Sequence, residues 1–147
     1  MWQNHFSLDF LRSRDDLEFT GYDIVSSSIE SHKSQFSQEA WIFHQHDIVS
    51  DQLETSYDLI VSRSTMMHLT DVSNLRALRN MRNSGSRYLL MTTHSNVENT
   101  DLVAESWRRI NFFKTPYNMP TPLCLAKDSY LESLYIMLYD LQALSEY

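Results

Sequence analysis

Residues Tyr57–Leu69, with the sequence YDLIVSRSTMMHL, change from an apolar run to a polar segment directly after Val61. The apolar run has no polar alternation, which is typical of a strand buried on both faces of a parallel sheet. We therefore predict a central strand at this position. Ligands of open α/β sheets bind beyond the carboxyl ends of the strands, so residues 62–68 are candidates for a binding site. A buried strand followed by a polar loop without chemistry explains the same pattern.

Strand and helix patterns alternate upstream of this stretch. Residues 21–25 and 41–47 are rich in apolar and aromatic side chains and are typical of strands. The serines after Val25 indicate a helix that begins at Ser28, ends near Ser37 and places Ile29, Lys33 and Phe36 on one side. This alternation predicts βαβ units and a parallel sheet.

The same alternation continues downstream. Asp71 is expected to cap a helix that is terminated by Asn83-Ser84-Gly85, with Gly85 in the left-handed conformation past its end. Residues 87–93 are expected to form the next buried strand. Prolines at positions 116, 120 and 122 predict an extended loop. Residues 134–139 fit either a strand or part of a helix over 130–144, and residues 1–19 have the pattern of an N-terminal helix.

Length and composition predict a single folded domain over residues 1–147. The net charge of -7 and the lack of a Lys/Arg cluster argue against a nucleic-acid binder, since Arg76, Arg79 and Arg82 fit one solvated helix face. No run approaches the roughly 18 apolar residues of a membrane span, and no signal-peptide pattern is present, so no membrane partner is expected. Cys124 is the sole cysteine; no disulfide can form within the chain, which favours a cytoplasmic location.

Acidic side chains follow two of the predicted strands. Asp23 and Asp47 lie where carboxylates accept hydrogen bonds from the ribose hydroxyls and the exocyclic amine of a nucleotide. His44 and His46 share one face of a strand beside Asp47 and raise a metal site as an alternative. Alternate positions on a half-buried strand explain both histidines without a third ligand, so we expect no metal.

The polar segment after Val61 also contains candidates for catalysis. His68, close to Arg63, is suited to acid–base chemistry or to anchoring a carboxylate, and a hydrogen-bonded structural histidine fits the same position. Ser62 and Ser64 lack the glycine-flanked turn of a hydrolase nucleophile. Cys124 has no base nearby in sequence, and we interpret it as structural.

Several segments carry a resemblance to a known family: Gly21–Val25, Asp47-Ile48, Tyr57–Arg63 with His68-Leu69, Arg79–Leu90 with Thr92-Thr93, Trp107–Asn111 and Pro116–Pro120. Together they resemble class I S-adenosylmethionine-dependent methyltransferases, in particular small methyltransferase-like proteins. The resemblance covers nearly the whole chain, and its most specific parts are Ser84–Tyr88 and the tryptophan-to-proline segment. It implies an α/β fold with a Rossmann-like, mostly parallel sheet and flanking helices.

The resemblance also implies a cofactor, S-adenosylmethionine, without a metal, and an unidentified methyl acceptor. Asp23 matches the residue that holds the ribose and Asp47 a position near the adenine, whereas His68 is the best local candidate for a catalytic residue. The sulfonium is already a strong methyl donor, so placing the acceptor can supply much of the catalysis and a base is optional. The implied cofactor-binding residues are Asp23, Ile24, Asp47, Ile48, Ser62 and Arg63, and the implied substrate-binding residues are Trp107, Asn111 and Asn118.

The sequence departs from the family's pattern at its beginning. The family opens with a strand and a glycine-rich turn whose bare backbone approaches the cofactor. The residues next to Met1-Trp2-Gln3 look like those that follow this turn. We therefore expect an N-terminally truncated domain that lacks the first strand and the glycine-rich turn, as a fragment, a shortened isoform or a degenerate relative. The missing strand would lie between the strands at 21–25 and 57–61.

Two other classes of function are consistent with the sequence. A non-catalytic interaction module would retain the fold and self-associate through an exposed sheet edge. A dinucleotide-binding oxidoreductase shares the acidic residue after the second strand, although the later segments do not resemble one.

Overall fold

A computed structural model of the chain describes residues 8–102, 107–128 and 133–144. The chain forms two compact units, Met1–Asp47 and Ile48–Tyr147. Within the described residues no helix is long and apolar enough to cross a membrane. The expectation of one domain over the whole chain stays a prediction.

The first unit is a βαβ arrangement. Its strands β1 and β2 pair in parallel, with Tyr22 opposite His44 and Asp23 opposite Gln45. This confirms the predicted parallel pairing. The elements are α1 (Leu8–Arg12), β1 (Thr20–Asp23), α2 (Ser26–Gln35) and β2 (Ile42–Gln45).

The predicted N-terminal helix is too long at its C-terminal end. Helix α1 ends at Arg12, because Ser13 turns the chain: its backbone N–H and its hydroxyl both donate to the carbonyl of Phe10. The charged residues that follow are exposed, so no apolar stripe holds a further helical turn. Residues 1–7 of the predicted helix lie outside the described residues.

Helix α2 begins at Ser26, two positions before the predicted start, and ends at Gln35. No side chain caps its first turn, so the predicted serine cap is wrong; Val25 holds the cap position, and its N–H donates to Asp23 Oδ1 at 2.9 Å. Ile29 and Phe36 are buried as predicted. Lys33 instead is exposed and pairs with Glu30 at 3.4 Å.

A small aromatic core holds the first unit together. Ile29, Phe36 and Phe43 are buried, with Phe19 and Trp41 packed against them. Glycine is required at position 21 by this packing, since a Cβ there would lie 2.8 Å from Phe43 Cδ1. A side chain at that position would displace a ring that is already stacked on Phe36.

The second unit has a four-stranded sheet in the order β3-β4-β6-β5. Strands β3 and β4 are parallel, as predicted, whereas β6 is antiparallel to both β4 and β5. The elements are β3 (Leu59–Ser62), a 3-10 helix (Met66–His68), α3 (Asp71–Asn83), β4 (Tyr88–His94), β5 (Cys124–Lys127), β6 (Leu134–Asp140) and a 3-10 helix (Leu141–Ala143).

Strand β3 is not central among the strands that the structure describes. It lies at the end of its sheet, and Leu59 is 45% exposed. The prediction of burial on both faces is therefore wrong for Leu59, whereas Ser62 is buried. The apolar run predicted the strand correctly but did not indicate how many neighbours it has.

Helix α3 has clear signals at both ends. Thr70, and not Asp71, is the N-cap, since Thr70 Oγ1 accepts the N–H of Ser73. Gly85 follows the helix with φ of +78°, as predicted. Ser86 then accepts the N–H of Tyr57 at 2.9 Å, which fixes the start of β4 beside the segment leading into β3.

The C-terminal half contains two strands: β5, which was not predicted, and β6, for which the sequence also allowed a helix. Residues 134–140 form strand β6, so the helical alternative is wrong there: a ladder from His94↔Leu134 to Tyr88↔Asp140 holds them against β4. Strand β5 extends this sheet, although the nearby prolines had predicted a loop. Long-range pairing outweighs the helical spacing of the leucines.

The core of the second unit comprises buried residues of α3, β4, β6 and the 110–119 segment, including Leu78, Met81, Leu89, Met91, Ile110, Phe112, Tyr117, Met137 and Tyr139.

Candidate functional site

The carboxyl ends of β1 and β2 carry the acidic residues predicted for a nucleotide. Asp23 is the last residue of β1 and Asp47 follows β2 by two positions; both are partly buried. Backbone and side-chain bonds join the two ends, since His46 N donates to Asp23 O at 2.9 Å and Gln45 Nε2 donates to Ile24 O at 3.1 Å. Ile24 itself is 59% exposed.

The two histidines of β2 and its end contact an aromatic ring. Tyr22 lies 5.8 Å from His44 and 5.0 Å from His46, measured between ring centroids. No group of three potential metal ligands occurs in the part of the chain that the structure describes. Ring packing accounts for the spacing of both histidines.

In the second unit, β3 ends beside its parallel neighbour β4, which continues to His94. Ser62 lies opposite Met91 in the register. Beyond it, Ser64 adopts φ of +58°, and its N–H donates to Thr92 Oγ1 at 3.0 Å. This bond fixes the turn that follows β3. Ile48, the remaining predicted cofactor contact, packs against the core of this unit.

Arg63 forms a buried ion pair that sequence analysis did not predict. Its Nη2 lies 2.6 Å from Asp128 Oδ2, and the two side chains are 9% and 3% exposed. Arg63 Nη1 and Ser62 Oγ are buried and have no hydrogen-bond partner among the described residues. The end of β3 thus holds two buried polar atoms that are unpaired within the described part of the chain.

His94, at the end of β4, is a buried histidine that sequence analysis missed. Its backbone N–H donates to Ile110 O at 2.6 Å, and the N–H of Ile110 donates to His94 Nδ1 at 3.2 Å. Nδ1 is therefore an acceptor, and the ring proton lies on Nε2. Burial lowers the pKa of His94, and the nearby Arg109 guanidinium lowers it further.

His68, the predicted catalytic residue, ends the 3-10 helix after β3 and is exposed. Its backbone N–H donates to Thr65 O at 3.2 Å. The proposed catalytic role stays a prediction.

A buried polar network anchors the 107–119 segment to the start of α3. The hydroxyl of Tyr117 donates to Asp71 Oδ1 and accepts hydrogen bonds from Asn74 and Arg108, each at 3.0 Å. Arg108 also contacts Asp71 directly. Burial and the bond to Asp71 raise the pKa of Tyr117 to about 12. The phenol therefore stays neutral and acts as a structural hydrogen-bond donor.

The three predicted substrate-binding residues occupy different environments. Trp107 is 58% exposed, whereas Asn111 is buried and its Oδ1 accepts the N–H of Phe113. Asn118 lies in the left-handed region with φ of +46°. It lines an open cleft of about 450 Å³ together with Glu98, Asn99, Phe113, Lys114 and Thr115.

Asn99 organises the loop behind this cleft. Its Nδ2 donates to Asn111 O at 2.8 Å and to Thr115 O at 2.9 Å, and its Oδ1 accepts the N–H of Asn111. The backbone of Asn111 is thus held in a structural role. A binding role for Trp107, Asn111 and Asn118 stays a prediction.

Comparison with known proteins gives matches in structure. No model of a known protein family and no curated protein sequence matches the chain. TehB from Haemophilus influenzae is 18% identical, with a TM-score of 0.61, over 85% of this chain and 50% of TehB. A TehB-like SAM-dependent methyltransferase from Corynebacterium glutamicum is 14% identical, with a TM-score of 0.57, over 84% of this chain and 67% of that protein. LepI in complex with SAM is 12% identical, with a TM-score of 0.67, over 92% of this chain and 39% of LepI.

The chain therefore has a class I methyltransferase-like fold. It spans half of TehB and less than half of LepI. The fold prediction is confirmed, including its Rossmann-like α/β character. At these identities the likeness concerns the fold.

Proposed function

We propose that this chain binds S-adenosylmethionine and transfers its methyl group to an acceptor that is not yet identified. Cofactor binding is supported by the likeness in fold to LepI, which aligns over 92% of this chain and whose structure was determined in complex with SAM. Methyl transfer is supported by the likeness in fold to the TehB-like SAM-dependent methyltransferase, which aligns over 84% of this chain.

The acceptor groups of the first unit fit a nucleoside. Asp23 and Asp47 are partly buried carboxylates beyond parallel strands, and carboxylates accept hydrogen bonds from ribose hydroxyls and from an exocyclic amine. In this proposal Asp23 binds the ribose and Asp47 the adenine, while Ile24 contributes apolar contact. The sequence-based assignment of Ile48, Ser62 and Arg63 to the cofactor stays a prediction.

The bound cofactor would supply an activated methyl group, and the protein would mainly position the acceptor. We assign the acceptor side to Trp107, Asn111 and Asn118. His68 is the proposed base where the acceptor must lose a proton. We also propose a cytoplasmic location, supported by the exposed free thiol of Cys124.

A non-catalytic interaction module is the second candidate, and a specific observation favours it. The 147 residues contain two glycines, and both have other uses: Gly21 packs against Phe43, and Gly85 ends the turn after α3. No glycine-rich turn is therefore present in this sequence. Strand β3 also has an edge without a partner among the described strands, where self-association is expected.

Thermal unfolding with and without S-adenosylhomocysteine tests the proposed function. A ligand at about 100 times its dissociation constant adds roughly 2.7 kcal/mol to the free energy of unfolding. A clear rise of the unfolding midpoint is expected. A cooperative transition that ignores the ligand, combined with concentration-dependent dimerisation in sedimentation, would support the interaction module instead.

Substitution of the two acidic residues tests the nucleoside assignment. Asp23→Asn retains an acceptor for the N–H of Val25 and removes the charge, so S-adenosylhomocysteine should bind more weakly in calorimetry. Asp47→Ala should cost roughly 1–3 kcal/mol of binding free energy. Asp58→Asn, an exposed change just before the amino end of β3, is the control. An unchanged affinity in either variant removes that residue from the site.

A further inference from the structure

Arg108 is a buried arginine whose hydrogen bonds lead to the turn at residues 66–69, directly after the end of β3. Its side chain is 8% exposed. Its Nη2 donates to Leu69 O at 3.2 Å, and its backbone N–H donates to Met67 O at 3.1 Å. Met67 and Leu69 are the two neighbours of His68 in the chain. Arg108 therefore holds the backbone on both sides of the proposed base.

The guanidinium of Arg108 is itself fixed by three further groups. Nη2 donates to Asp71 Oδ1 and, at 3.0 Å, to the hydroxyl of Tyr117, whereas Nη1 donates to Thr100 O. Asp71 is the first residue of α3. Because an arginine presents its donors in a rigid planar fork, these contacts also fix the direction of the bond to Leu69.

Asn74 of α3 holds the same turn from a second position. It is fully buried, and its Nδ2 lies 3.1 Å from Met66 O and 3.4 Å from Leu69 O. The turn has two backbone bonds of its own, from His68 to Thr65 and from Leu69 to Met66. A single 3-10 turn is weakly held by such bonds, so its position depends on the side chains that bind its carbonyls.

The contacts of Arg108 also place the backbone of Trp107 beside this turn. Trp107 directly precedes the N–H that donates to Met67 O, and it is 58% exposed. His68 is exposed as well, although the carbonyls on both sides of it are bound. An exposed indole and an exposed imidazole thus belong to two segments that are hydrogen-bonded to each other.

We propose that Arg108 is a positioning residue that holds His68 and Trp107 in one fixed arrangement toward the methyl acceptor. The proposal rests on the proposed methyltransferase function, in which His68 is the base and Trp107 contacts the acceptor. Arg108 acts through the backbone of the turn and contacts neither the acceptor nor the cofactor. Such support matters because a displacement of about 1 Å can cost on the order of 100-fold in rate.

The first test is Arg108→Lys, followed by NMR of the imidazole ring of His68. Lysine keeps a positive charge opposite Asp71 but lacks the planar fork, so it cannot bind Leu69 O and Thr100 O together with Asp71. The ring signal of His68, assigned with His68→Asn, should shift or broaden well below the unfolding midpoint. The ring signal of His32, in the first unit, should stay unchanged and is the internal reference.

The matched control is Tyr117→Phe. It removes a hydroxyl of the same network that donates to Asp71 and not to a carbonyl of the turn. The variant should lose stability and keep the His68 signal of wild type. An unchanged His68 signal in Arg108→Lys would overturn the proposal. Equal shifts in both variants would also overturn it, because Arg108 would then have a general structural role.

A second variant decides the question if lysine at position 108 prevents folding. Arg108→Gln combined with Asp71→Asn removes both charges of the ion pair, so neither residue leaves a buried charge behind. Glutamine cannot reproduce the fork to Leu69 and Thr100, and the His68 signal should again move. A His68 signal equal to that of wild type would overturn the proposal.

Calorimetry with S-adenosylhomocysteine separates this proposal from the proposed function. Arg108→Lys should bind within about twofold of wild type, because the proposed nucleoside ligands Asp23 and Asp47 belong to the first unit. A loss of about tenfold or more would assign Arg108 to the cofactor and overturn the positioning role. A wild-type chain that does not bind would reject the methyltransferase function, whereas the His68 signal would still decide whether Arg108 positions the turn.

Discussion

At the scale of single residues, Tyr117 joins the 107–119 segment to α3 through one hydroxyl group. It contacts Asp71, Asn74 and Arg108 in the interior of the second unit. Tyr117→Phe leaves these partners desolvated without their central hydroxyl, so we expect a loss of about 1–3 kcal/mol in the free energy of unfolding. Urea denaturation measures this loss.

The control for Tyr117 is Tyr88→Phe. The Tyr88 hydroxyl bonds no described residue, and its ring keeps the contact with Arg87 at 4.9 Å. The expected change is within about 0.5 kcal/mol, as for surface substitutions in general. Equal effects of the two variants would show that the network around Tyr117 contributes little.

His94 gives the second unit a pH dependence of known sign. Burial keeps the pKa of the folded histidine below the ordinary value of 6.5. The unfolded chain therefore binds a proton more readily, and stability should fall as the pH drops below about 6.5. His94→Asn keeps an acceptor for the N–H of Ile110 and cannot titrate, so its stability should fall less between about pH 7.5 and 5.5. His68→Asn changes an exposed histidine and is the control; identical pH profiles for wild type and His94→Asn would contradict the argument.

At the scale of elements, α3 depends on its cap. Thr70 Oγ1 accepts the N–H of Ser73 at 3.2 Å, whereas Thr65 makes no capping bond to the 3-10 helix that it precedes. Thr70→Val preserves shape and removes the acceptor, and should cost about 1 kcal/mol of stability. Thr65→Val is the control, because it makes the same chemical change at a threonine that makes no capping hydrogen bond. Thermal unfolding should separate the two, and a smaller cost at Thr70 than at Thr65 would refute the assignment.

At the scale of the whole molecule, the two units differ in the size of their cores. The first is held by the buried residues Ile29, Phe36 and Phe43 with two flanking aromatics. The core of the second includes buried residues of α3, β4 and β6. Small cores give low stability. Amides of β1 and β2 should therefore exchange with deuterium faster than those of β4; equal protection in mass spectrometry would show that both units unfold as one.

Local sequence patterns predicted the features that are set by residues close together along the chain. The strands β1 to β4, the helix after Thr70 and the left-handed Gly85 all follow from runs of a few residues, whose periodicity and turn chemistry act over short distances. The acidic ends of β1 and β2 were found in the same way. The prediction placed a serine at the N-cap of α2, because three consecutive serines follow Val25. In the structure Val25 is the N-cap residue, and its N–H donates to Asp23 Oδ1.

The sequence by itself determined an α/β chain with parallel pairs and polar strand ends, because hydrophobic periodicity is a local property. The tertiary structure decided that residues 134–140 form a strand and that Arg63 pairs with Asp128 across 65 positions. It also decided that Tyr117 meets Asp71 and that His94 is buried beside Ile110. These contacts join residues that are distant along the chain. Their partners are selected by burial in a common core, because unpaired polar groups are costly there.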